Sequence, residues 1–573
     1  MDKSQFLGLL FIFLLLFFYF HFFSPKPISH NNKNFQNEKE LIKYEKLFYD
    51  NSYNSLNENK KSFNLVFSNF ISGKQKDFVL ENNLIKVRFN SKGGLIKKVI
   101  LKKYKDYNFL PLILLDSQSN EMFLEFIFNN VSFHTNDLFF ETLIVNSIAN
   151  KYQVAKLIFT LNISDNSYLR QIFSIPFNEY SVGYRLKFFG MKSYLDSDLI
   201  NFLWHNLVKR LEKNINDSRN KSTINYYSKS NGFNHLNENS NIKEFKNIRN
   251  NIKWISIKQK FFTSGIISEK YFSKCSLSIL PTIQDKKSLK LAMINLSFFI
   301  NDFKEISNNF IFYFGPNLYE ELYKINKSFI SNISLGWPII KWINKFFIIS
   351  IFKFLNIYIS NYGLIIVFLV LIIRLFLFPL SYRSYVSTAK MRILKPELDS
   401  IKLNSNDIQE VQMKQMELYK DSGINPLSGC IPVLLQMPIL LAMFNFFPNI
   451  INFRQKKFLW SEDLSTYDSI YNFSFIIPWY GNHVSMFTLL MSLSSTLLYS
   501  SSKNDSNNQN SMKIFSYIMP LGFMFILNSF SSGLIFYYFV SNLFTFIQQI
   551  IIRFFLNEDS IVDQLKKNKK NKQ

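Results

Sequence analysis

Two long apolar runs separated by a charged connector constrain this chain more than any other feature. The first run reads NYGLIIVFLVLIIRLFLFPL at 361–380, and the second reads NPLSGCIPVLLQMPILLAMFNFFP at 425–448. The hydrocarbon core of a bilayer needs about 20 predominantly apolar residues to be crossed by a helix. Both runs are long enough, and one arginine, Arg374, lies inside the first. A charged side chain in a membrane span is costly, so Arg374 indicates either a functional role or a route to water.

The composition agrees with a membrane protein and argues against a nucleic-acid-binding one. The chain has 573 residues, enough for more than one domain, and contains 65 Phe and 29 Tyr. Its formal net charge of +25 would suit a nucleic-acid partner if the basic residues formed one compact face. Instead, they are spread through Asn- and Lys-rich stretches such as 30–40 and 237–251. We therefore expect no sequence-specific nucleic-acid partner.

The N-terminal residues predict a membrane anchor followed by a linker. Residues 6–23 are apolar, and the SPKP that follows them at 24–27 does not resemble the small-residue site at which a secretory signal is cleaved. This predicts an uncleaved anchor over 1–23. The polar stretch 24–75, rich in Asn, Lys and Ser, predicts a flexible linker.

The region 76–325 predicts a large antiparallel β-sandwich. Short β-type runs recur along it, beginning with two strands around the glycine turn at 91–94. The Asn-rich stretch 214–253 predicts a long mobile loop inside this domain. The region has no HExxH, GxSxG, phosphate loop or CxxC motif, and the histidines lack ligand spacing, so we expect no catalytic or metal site.

The C-terminal region predicts several further helices. Residues 337–357 carry Lys341, Lys345 and Lys353 near one side of an otherwise apolar helix, which is typical of a helix lying in the membrane interface. The connector 381–424 has balanced charge and apolar residues at helical spacing in two arms, so it predicts a helical hairpin in water. Together with the N-terminal anchor, five apolar runs give six spans, the last five at about 362–380, 427–447, 484–500, 514–529 and 533–553.

Charge distribution predicts the orientation of these spans. Six spans place both ends of the chain on the same side of the membrane, and the lysine-rich tail at 557–573 sets that side as the cytoplasm. The hairpin at 381–424 is then cytoplasmic as well, while the β domain is exported. The positive charge of that domain does not contradict this, because long domains cross largely regardless of charge.

The depth of Arg374 leaves two interpretations open. Arg374 is twelve residues past Tyr362, or about 18 Å along a helix, and five residues, or about 7.5 Å, before Pro379. Its guanidinium can extend toward the cytoplasmic interface. Alternatively, it lies in a water-filled functional cavity. The predicted spans contain no acidic residue to pair with it.

Several motifs together resemble one known family. In the C-terminal half they are YGLIIVFLVLIIRLFLFPL, AKMRILKPEL, LYKDSGINPLSGCIPVLLQMPI and SSGLIFYYFVSNLFTFIQQ. FNSKGG, WISIKQKFF at 254–262 and FYFGPNLYEEL at 312–322 add to these upstream. In their order and spacing they resemble the YidC insertases of the YidC/Oxa/Alb superfamily, in the Gram-negative form with a large periplasmic domain.

The resemblance implies a bacterial inner-membrane protein with a five-helix insertase core over 358–556. That core encloses a hydrophilic groove that is open to the cytoplasm and to lipid and closed on the outer side. Arg374 matches the arginine that faces the groove. One departure from the family pattern is Val370, one turn earlier, where many relatives carry a polar residue.

Five further residues are implied to line the same substrate-binding groove. Tyr537 and Tyr538 match the family's substrate-contacting aromatic pair, for which packing against the fifth span is the alternative. Gln436, Met437 and Pro438 resemble the QMP stretch of the third span, in which Pro438 can equally be a tolerated kink.

The implied function is insertion and folding of nascent membrane proteins, with or without the Sec translocon and without any cofactor. The hairpin resembles the part that recruits nascent chains, and the basic tail suits ribosomal RNA or lipid headgroups equally. One alternative is a small-solute transporter or channel subunit, although we find no inverted repeat. Another is an envelope enzyme whose β domain acts on sugars.

Overall fold

The structure is a computed structural model that describes residues 69–565 and 568, apart from 129–130, 150–151, 192–194, 241, 250, 300–309, 404–407, 425–430, 479, 502–509 and 557–560. The anchor predicted at 1–23 and most of the linker predicted at 24–75 lie outside the described residues. The chain divides after Ile333 into two compact units, which we call the β unit and the helical unit.

The β unit consists mainly of antiparallel strands. In chain order its elements are β1 (Asp77–Glu81), β2 (Ile85–Asn90), β3 (Ile96–Lys105), β4 (Pro111–Leu115), β5 (Asn120–Phe128), β6 (Val131–His134), β7 (Glu141–Ala149), β8 (Tyr152–Ser164), β9 (Ser167–Ile175), β10 (Ser181–Phe189), β11 (Leu199–Lys209), α1 (Ile215–Asn220), β12 (Thr223–Ser228), β13 (Gly232–His235), β14 (Glu244–Ile248), β15 (Ile252–Lys258), β16 (Phe262–Phe272), β17 (Lys274–Pro281), β18 (Ser288–Phe299), β19 (Phe310–Pro316) and α2 (Tyr319–Ile325).

These strands form three sheets with antiparallel pairing throughout. The four-stranded sheet has the order β1-β2-β3-β4, the nine-stranded sheet β13-β12-β15-β16-β19-β10-β9-β8-β7, and the six-stranded sheet β14-β17-β18-β11-β5-β6. Aromatic rings of the six-stranded sheet contact rings of the nine-stranded sheet. The ring centroids of Phe202 and Phe312 are 6.0 Å apart, and those of Phe298 and Phe310 are 5.3 Å apart. Burial alternates along β11, as expected when one face of a strand points into a core.

The first predicted hairpin contains one more strand than expected. The glycine turn at 91–94 is confirmed, because Gly93 and Gly94 have φ of 91° and 62°, which glycine adopts readily. The stretch before it was predicted as one strand, but it forms both β1 and β2. Asn82 separates them: its side-chain oxygen accepts hydrogen bonds from the backbone N–H groups of Leu84 and Ile85, both at 2.8 Å, and this forms a local turn.

The prediction of a long mobile loop over 214–253 is wrong. This stretch contains α1, β12, β13, β14 and the start of β15. Its asparagines obscured an alternating pattern in which Ile224 and Tyr226 are buried in the core. Asn225 is buried as well, and its amide donates to the side-chain oxygen of Asn332 at 2.9 Å. In this stretch, a high asparagine content therefore does not indicate a lack of regular structure.

Two upstream motifs are joined by one side chain. The turn between β15 and β16 lies within WISIKQKFF, and Asn317 lies within FYFGPNLYEEL. The Asn317 amide donates to the backbone oxygen of Gln259 at 3.1 Å, while the Thr263 hydroxyl donates to the Asn317 side-chain oxygen at 2.6 Å. Because Asn317 is buried, these bonds fix the turn, and both motifs serve the fold of the β unit.

A charged cluster spans β6, β5 and β11. The Glu125 carboxylate accepts hydrogen bonds from Ser132 at 3.0 Å and Asn201 at 2.9 Å, and its oxygen lies 3.4 Å from Nε2 of His134. Mainly through the His134 contact, the pKa of Glu125 falls from 4.5 to about 2. The same contact raises the pKa of His134 above 6.5.

The β unit should consequently lose stability on acidification. A carboxyl whose pKa is lower in the folded state stabilises the fold above its unfolded pKa, and this contribution disappears from about pH 4.5 down to about pH 2. His134 has the opposite sign, since its contribution is full below pH 6.5 and is lost as the pH rises through its raised pKa. We expect Glu125→Gln to destabilise β5 and β6 at pH 6 by about 1–3 kcal/mol.

Hydrogen exchange of β5 and β6 in the full chain, corrected for the intrinsic pH dependence of exchange, measures this effect. Glu141→Gln, which changes an exposed carboxylate on β7, is the control and should leave exchange in β5 and β6 unchanged. Equal stability of the unmodified chain at pH 4.5 and pH 2 would contradict the prediction.

The helical unit follows Ile333. Its elements are α3 (Pro338–Ile343), a π-helical turn (Asn344–Ile348), α4 (Ile349–Tyr358), α5 (Tyr362–Ile393), α6 (Lys395–Leu403), α7 (Ile408–Asp421), α8 (Ile431–Asn449), β20 (Tyr471–Ile477), β21 (Gly481–Val484), α9 (Met486–Ser501), α10 (Asn510–Leu527) and α11 (Ser532–Phe555).

Among the described residues, two helices are long and apolar enough to cross a membrane. They are α5 and α11, and Met486–Leu498 of α9 forms a shorter apolar helix. Helix α5 continues without a break through Pro379 to Ile393, so the predicted span at 362–380 and the start of the predicted hairpin form one helix. Helices α6 and α7 follow and contact each other.

The helix predicted at 337–357 is present as α3, the π-helical turn and α4. Its buried side lies along one stripe, formed by Ile340, Asn344, Ile348, Phe352 and Leu355. The three lysines at 341, 345 and 353 are exposed, as are large apolar residues such as those at 342 and 346. This distribution suits the predicted position in a membrane interface.

Helices α5, α9 and α11 begin at one end of the unit, and helices α8 and α10 end there. We call this the capped end, because the segment 450–485 packs there. Tyr362 at the start of α5 contacts Phe453 at 5.7 Å, and Phe536 near the start of α11 contacts Phe458 at 4.9 Å. Five helices thus alternate in direction through the unit.

The residues after α11 pack on the base of the α6–α7 hairpin. Ile561 and Leu565 form one buried cluster with Ala389, Leu394 and Ile424. The Asn568 amide donates to the backbone oxygen of Ser422 at 3.2 Å. The helical unit is therefore tied together at both ends.

Gly363 lets α5 approach the capped end closely. A Cβ atom at this position would overlap the ring of Phe458. We expect Gly363→Ala to lower the free energy of unfolding by about 1–3 kcal/mol, since the ring must move out of a packed site. Thermal unfolding of the full chain in detergent measures the change.

Gly522 provides a matched control for this substitution. It lies within α10, and a Cβ atom there would have no neighbour within 4 Å. We expect Gly522→Ala to stabilise the chain by up to about 1 kcal/mol, because alanine favours the helix. A Gly363→Ala chain that is as stable as Gly522→Ala would show that Phe458 does not require the glycine.

Candidate functional site

Arg374 faces α11. Its guanidinium donates a hydrogen bond to the Ser541 hydroxyl at 2.5 Å, and the arginine is partly buried between the two helices. Among the described residues, no carboxylate lies within ion-pair distance of it. A hydroxyl oxygen accepts this hydrogen bond but does not neutralise the charge. The site therefore holds a positive charge without a negative partner.

A row of polar side chains follows Ser541 along the same face of α11. Tyr537, Ser541, Thr545 and Gln548 are spaced by four, four and three residues, which is the spacing of one helix face. The amide nitrogen of Gln548 and the side-chain oxygen of Gln549 are shielded from solvent and have no hydrogen-bond partner among the described residues. A polar strip thus leads from Arg374 toward the end opposite the capped end.

Sequence reasoning did not predict this strip beyond the tyrosines. The sequence does contain the pattern that would predict it, because polar residues recur at helical spacing within the otherwise apolar run 532–555. Val370, the departure from the family pattern, is buried. The polarity beside Arg374 therefore comes from α11 and not from its own helix.

The polar side chains of α11 also reach α9. The Asn542 amide donates to the hydroxyls of Ser494 at 3.1 Å and Ser495 at 2.8 Å. The side-chain amide of Asn542 therefore has hydrogen-bond partners, whereas the amide nitrogen of Gln548 has none among the described residues. Asn542 holds α9 and α11 together and leaves the α5-facing side of α11 as the candidate groove.

The two predicted tyrosines pack against α8. The ring of Tyr537 lies 5.6 Å from that of Phe447, and the ring of Tyr538 lies 5.6 Å from that of Phe444. These contacts are with α8, which corresponds to the third span, and the alternative of packing against the fifth span stays a prediction. Tyr537 is one helical turn before Ser541, whose hydroxyl accepts the hydrogen bond from Arg374, so the structure places these three residues near one another.

The remaining predicted residues lie farther along α8. Gln436, Met437 and Pro438 are partly buried, and no hydrogen bond joins them to Arg374 or to α11 among the described residues. Met437 is seven residues, or about 10.5 Å, before Phe444 along the helix. They are consequently placed beyond the tyrosines, on the side away from the capped end.

A buried carboxylate holds the capped end closed. Asp468 accepts hydrogen bonds from the Ser485 hydroxyl at 2.5 Å, the Trp460 indole at 2.9 Å, and the backbone N–H groups of Met486 at 2.9 Å and Phe487 at 3.1 Å. The last two are at the start of α9, where N–H groups have no partner within the helix. Sequence reasoning treated Asp468 as an ordinary loop residue.

Hydrogen bonds also join the neighbouring helices α10 and α11 to the segment 450–485. At the start of α11, the N–H of Ser532 donates to the carbonyl of Thr466 at 2.7 Å, and the N–H of Gly533 donates to that of Leu464 at 2.9 Å. At the end of α10, the Asn528 amide donates to the carbonyls of Tyr480 at 3.0 Å and His483 at 2.7 Å. Together with the bonds of Asp468 to α9, these bonds join the segment 450–485 to three helices.

Comparisons with known proteins agree with this architecture. The family model described as 60Kd inner membrane protein matches residues 354–559, and the model described as YidC periplasmic domain matches residues 78–350. A relative from Amoebophilus asiaticus, named membrane protein insertase YidC, is 47% identical over 99% of this chain and 95% of its own length. The chain belongs to the YidC family of membrane protein insertases. The predicted resemblance is confirmed.

Another relative and two solved structures are also similar to this chain. A protein of the same name from Parabacteroides distasonis is 32% identical over 100% of this chain and 95% of its own length. A crystal structure of an active YidC insertase with its first transmembrane domain resolved is 16% identical, covering 84% of this chain and 93% of that one, with a TM-score of 0.34. A galactose mutarotase related enzyme from Lactobacillus acidophilus is 11% identical over 42% of this chain and 97% of its own, with a TM-score of 0.26.

Asp468 should be important for the stability of the capped end. Asp468→Asn removes the negative charge at the start of α9 and leaves a single neutral oxygen to accept from its N–H groups, so we expect the first turn of α9 to lose about 1–3 kcal/mol. Hydrogen exchange at the amides of Met486 and Phe487 measures this loss. Glu462→Gln alters an exposed carboxylate of the same segment and should have no effect. Unchanged exchange in Asp468→Asn would rule out the capping role.

Proposed function

We propose that this chain inserts nascent membrane proteins by giving their polar flanks a hydrophilic path past Arg374. The observation that supports this proposal is the contact of Arg374 with Ser541, since the nearest partner of the guanidinium is a neutral hydroxyl. An acidic or polar flank of a client can displace that hydroxyl and gain a charge-assisted hydrogen bond. A permanent ion pair would compete with the client, and none is found among the described residues.

The polar strip on α11 supports a path that continues beyond the arginine. Thr545, Gln548 and Gln549 offer hydrogen-bonding groups between Arg374 and the end of the unit that carries the α6–α7 hairpin. The amide nitrogen of Gln548 and the side-chain oxygen of Gln549 are buried without a partner, so in this proposal a passing polypeptide reaches them when the helices move apart. In this proposal Tyr537 and Tyr538 contact the client, and Gln436, Met437 and Pro438 line the path on α8.

The driving force comes from the client itself. Burial of an apolar segment in lipid releases roughly 25 cal/mol per Å² of apolar surface, so neither a nucleotide nor a cofactor is needed. What limits the reaction is the passage of the polar flank through the hydrocarbon core, where an unsatisfied group costs several kcal/mol. A groove that is polar to the depth of Arg374 shortens that passage. The capped end keeps ions from following.

The proposal includes a topology with six spans. The anchor at 1–23 and helices α5, α8, α9, α10 and α11 cross the inner membrane, with the β unit in the periplasm. The α6–α7 hairpin and the tail at 557–573 are cytoplasmic, where they meet the ribosome, nascent chains and lipid headgroups. The Sec translocon is a further partner for those clients that it delivers.

Arginine substitutions test the role of Arg374. We expect Arg374→Ala to slow the insertion of a single-span client with an acidic translocated flank about tenfold or more, because a hydrogen bond to a charged group contributes about 1.5–3 kcal/mol. A client with a neutral flank should be affected much less. Arg374→Lys keeps the charge and should retain part of the activity. Insertion into inverted membrane vesicles, at matched levels of the chain, measures the rates.

Arg553→Ala is the matched control, because Arg553 is an exposed arginine at the end of α11. It should insert both clients at the normal rate. Equal losses for the acidic and neutral flanks in Arg374→Ala would show that the arginine supports the fold and does not pair with clients. Normal insertion of both clients would remove Arg374 from the mechanism.

A further inference from the structure

The β20–β21 hairpin at the capped end exposes an unusual amount of apolar surface. Tyr471, Phe475 and Ile476 are 62%, 61% and 77% exposed, and Ile470 just before the hairpin is 52% exposed. Residues 469–485 contain no Asp, Glu, Lys or Arg. Most side chains along β20 are exposed, so neither face of the strand is covered by the rest of the chain.

Such a hairpin is poorly suited to water. A two-stranded sheet without a packed face is at best marginally stable in aqueous solution. The pairing of β20 with β21 is also irregular between Asn472 and Ile477, so the middle of β20 has few cross-strand bonds to hold it. Contiguous exposed apolar surface of this kind indicates contact with another apolar phase or partner.

The turn and the second strand of the hairpin are fixed to the helices. Asn528 bonds to Tyr480 and His483, and the ring of Tyr480 packs on that of Phe525 in α10 at 5.3 Å. Only Ser485 separates β21 from the first residue of α9. The exposed strand β20 therefore stays at the level at which α9 begins and α10 ends.

The same two helices have exposed apolar surfaces that continue from the hairpin. Leu493 and Leu497 on α9 are 59% and 57% exposed, and Leu521 on α10 is 55% exposed. In the proposed topology these residues contact lipid chains. The exposed face of the hairpin therefore begins where the lipid-facing surface of α9 and α10 reaches the outer side of the membrane.

We propose that the β20–β21 hairpin inserts into the outer leaflet of the bilayer, at the boundary between headgroups and acyl chains. This inference rests on the membrane topology of the proposed function. The hairpin cannot lie deeper, because its open strand edges and the exposed Asn472 and Ser474 would lack hydrogen-bond partners in hydrocarbon. Tyrosines and other aromatic side chains are typical of this boundary. The absence of charged residues favours lipid over a polar protein surface.

A fluorescent label at Ile476 tests the position of the hairpin. The full chain, with Cys275 and Cys430 replaced by alanine, carries Ile476→Cys labelled with an environment-sensitive dye and is reconstituted alone into phosphatidylethanolamine–phosphatidylglycerol vesicles. We expect a blue-shifted emission that is quenched by phospholipids spin-labelled near the headgroup. Phe475→Cys is the second position if the first variant does not fold.

Two further labelled positions make the result interpretable. Glu462→Cys lies in the same segment on an exposed charged residue and should stay water-accessible and weakly quenched. Leu493→Cys on α9 should be quenched most strongly by phospholipids labelled deep in the chain. Quenching at Leu493 without quenching at Ile476 would overturn this inference while leaving the proposed topology intact. Lack of quenching at both positions would overturn the topology as well.

A shielded label at Ile476 that no lipid quenches is a separate outcome. Since the vesicles contain only this chain and lipid, it would mean that protein, either a second copy or the β unit of the same chain, covers the hairpin. That result would also overturn the inference. Phe475→Ser with Ile476→Ser, read out by a label at Tyr471→Cys, should lose the blue shift if lipid contact depends on the two apolar side chains.

Discussion

In the proposed function, the helical unit depends on the contact between Arg374 and Ser541. A guanidinium keeps its charge under all physiological conditions, so it must be paired, hydrated or close to water. Ser541 gives it one hydrogen bond and a fixed direction without cancelling the charge. The unit can therefore hold a cation at membrane depth that remains available to another molecule.

Helix α11 makes that arrangement possible because it meets each neighbour with a different chemistry. Toward α5 it presents the hydroxyl that holds the arginine, toward α8 it presents two tyrosine rings, and toward α9 it presents an amide bonded to two serines. Its first turn is bonded to the segment 450–485. Aromatic and amide contacts fix the helix on two sides, which leaves the third side free to be polar.

The sequence predicts much of this architecture, and its failures have physical causes. Arg374, the apolar runs and the two-domain organisation are evident because charge and hydropathy are local properties. The strands within 214–253 were missed because asparagine content hid a period-two pattern around Ile224 and Tyr226. The contacts of the two tyrosines with α8 and the capping role of Asp468 are not predicted, because both depend on which segments meet in space. A single sequence does not contain that information.

Helix α5 has one mechanical property that concerns the arginine directly. It runs as one element from the capped end to the α6–α7 hairpin, and Pro379 lies inside it. Proline has no N–H, so the carbonyl four residues earlier, that of Leu375, has no helical donor, and the helix is easier to bend there. Leu375 directly follows Arg374. In the proposed topology, a ribosome or nascent chain that pulls on the hairpin would bend α5 beside the guanidinium, so a load on the cytoplasmic side would tilt the helix at the charge.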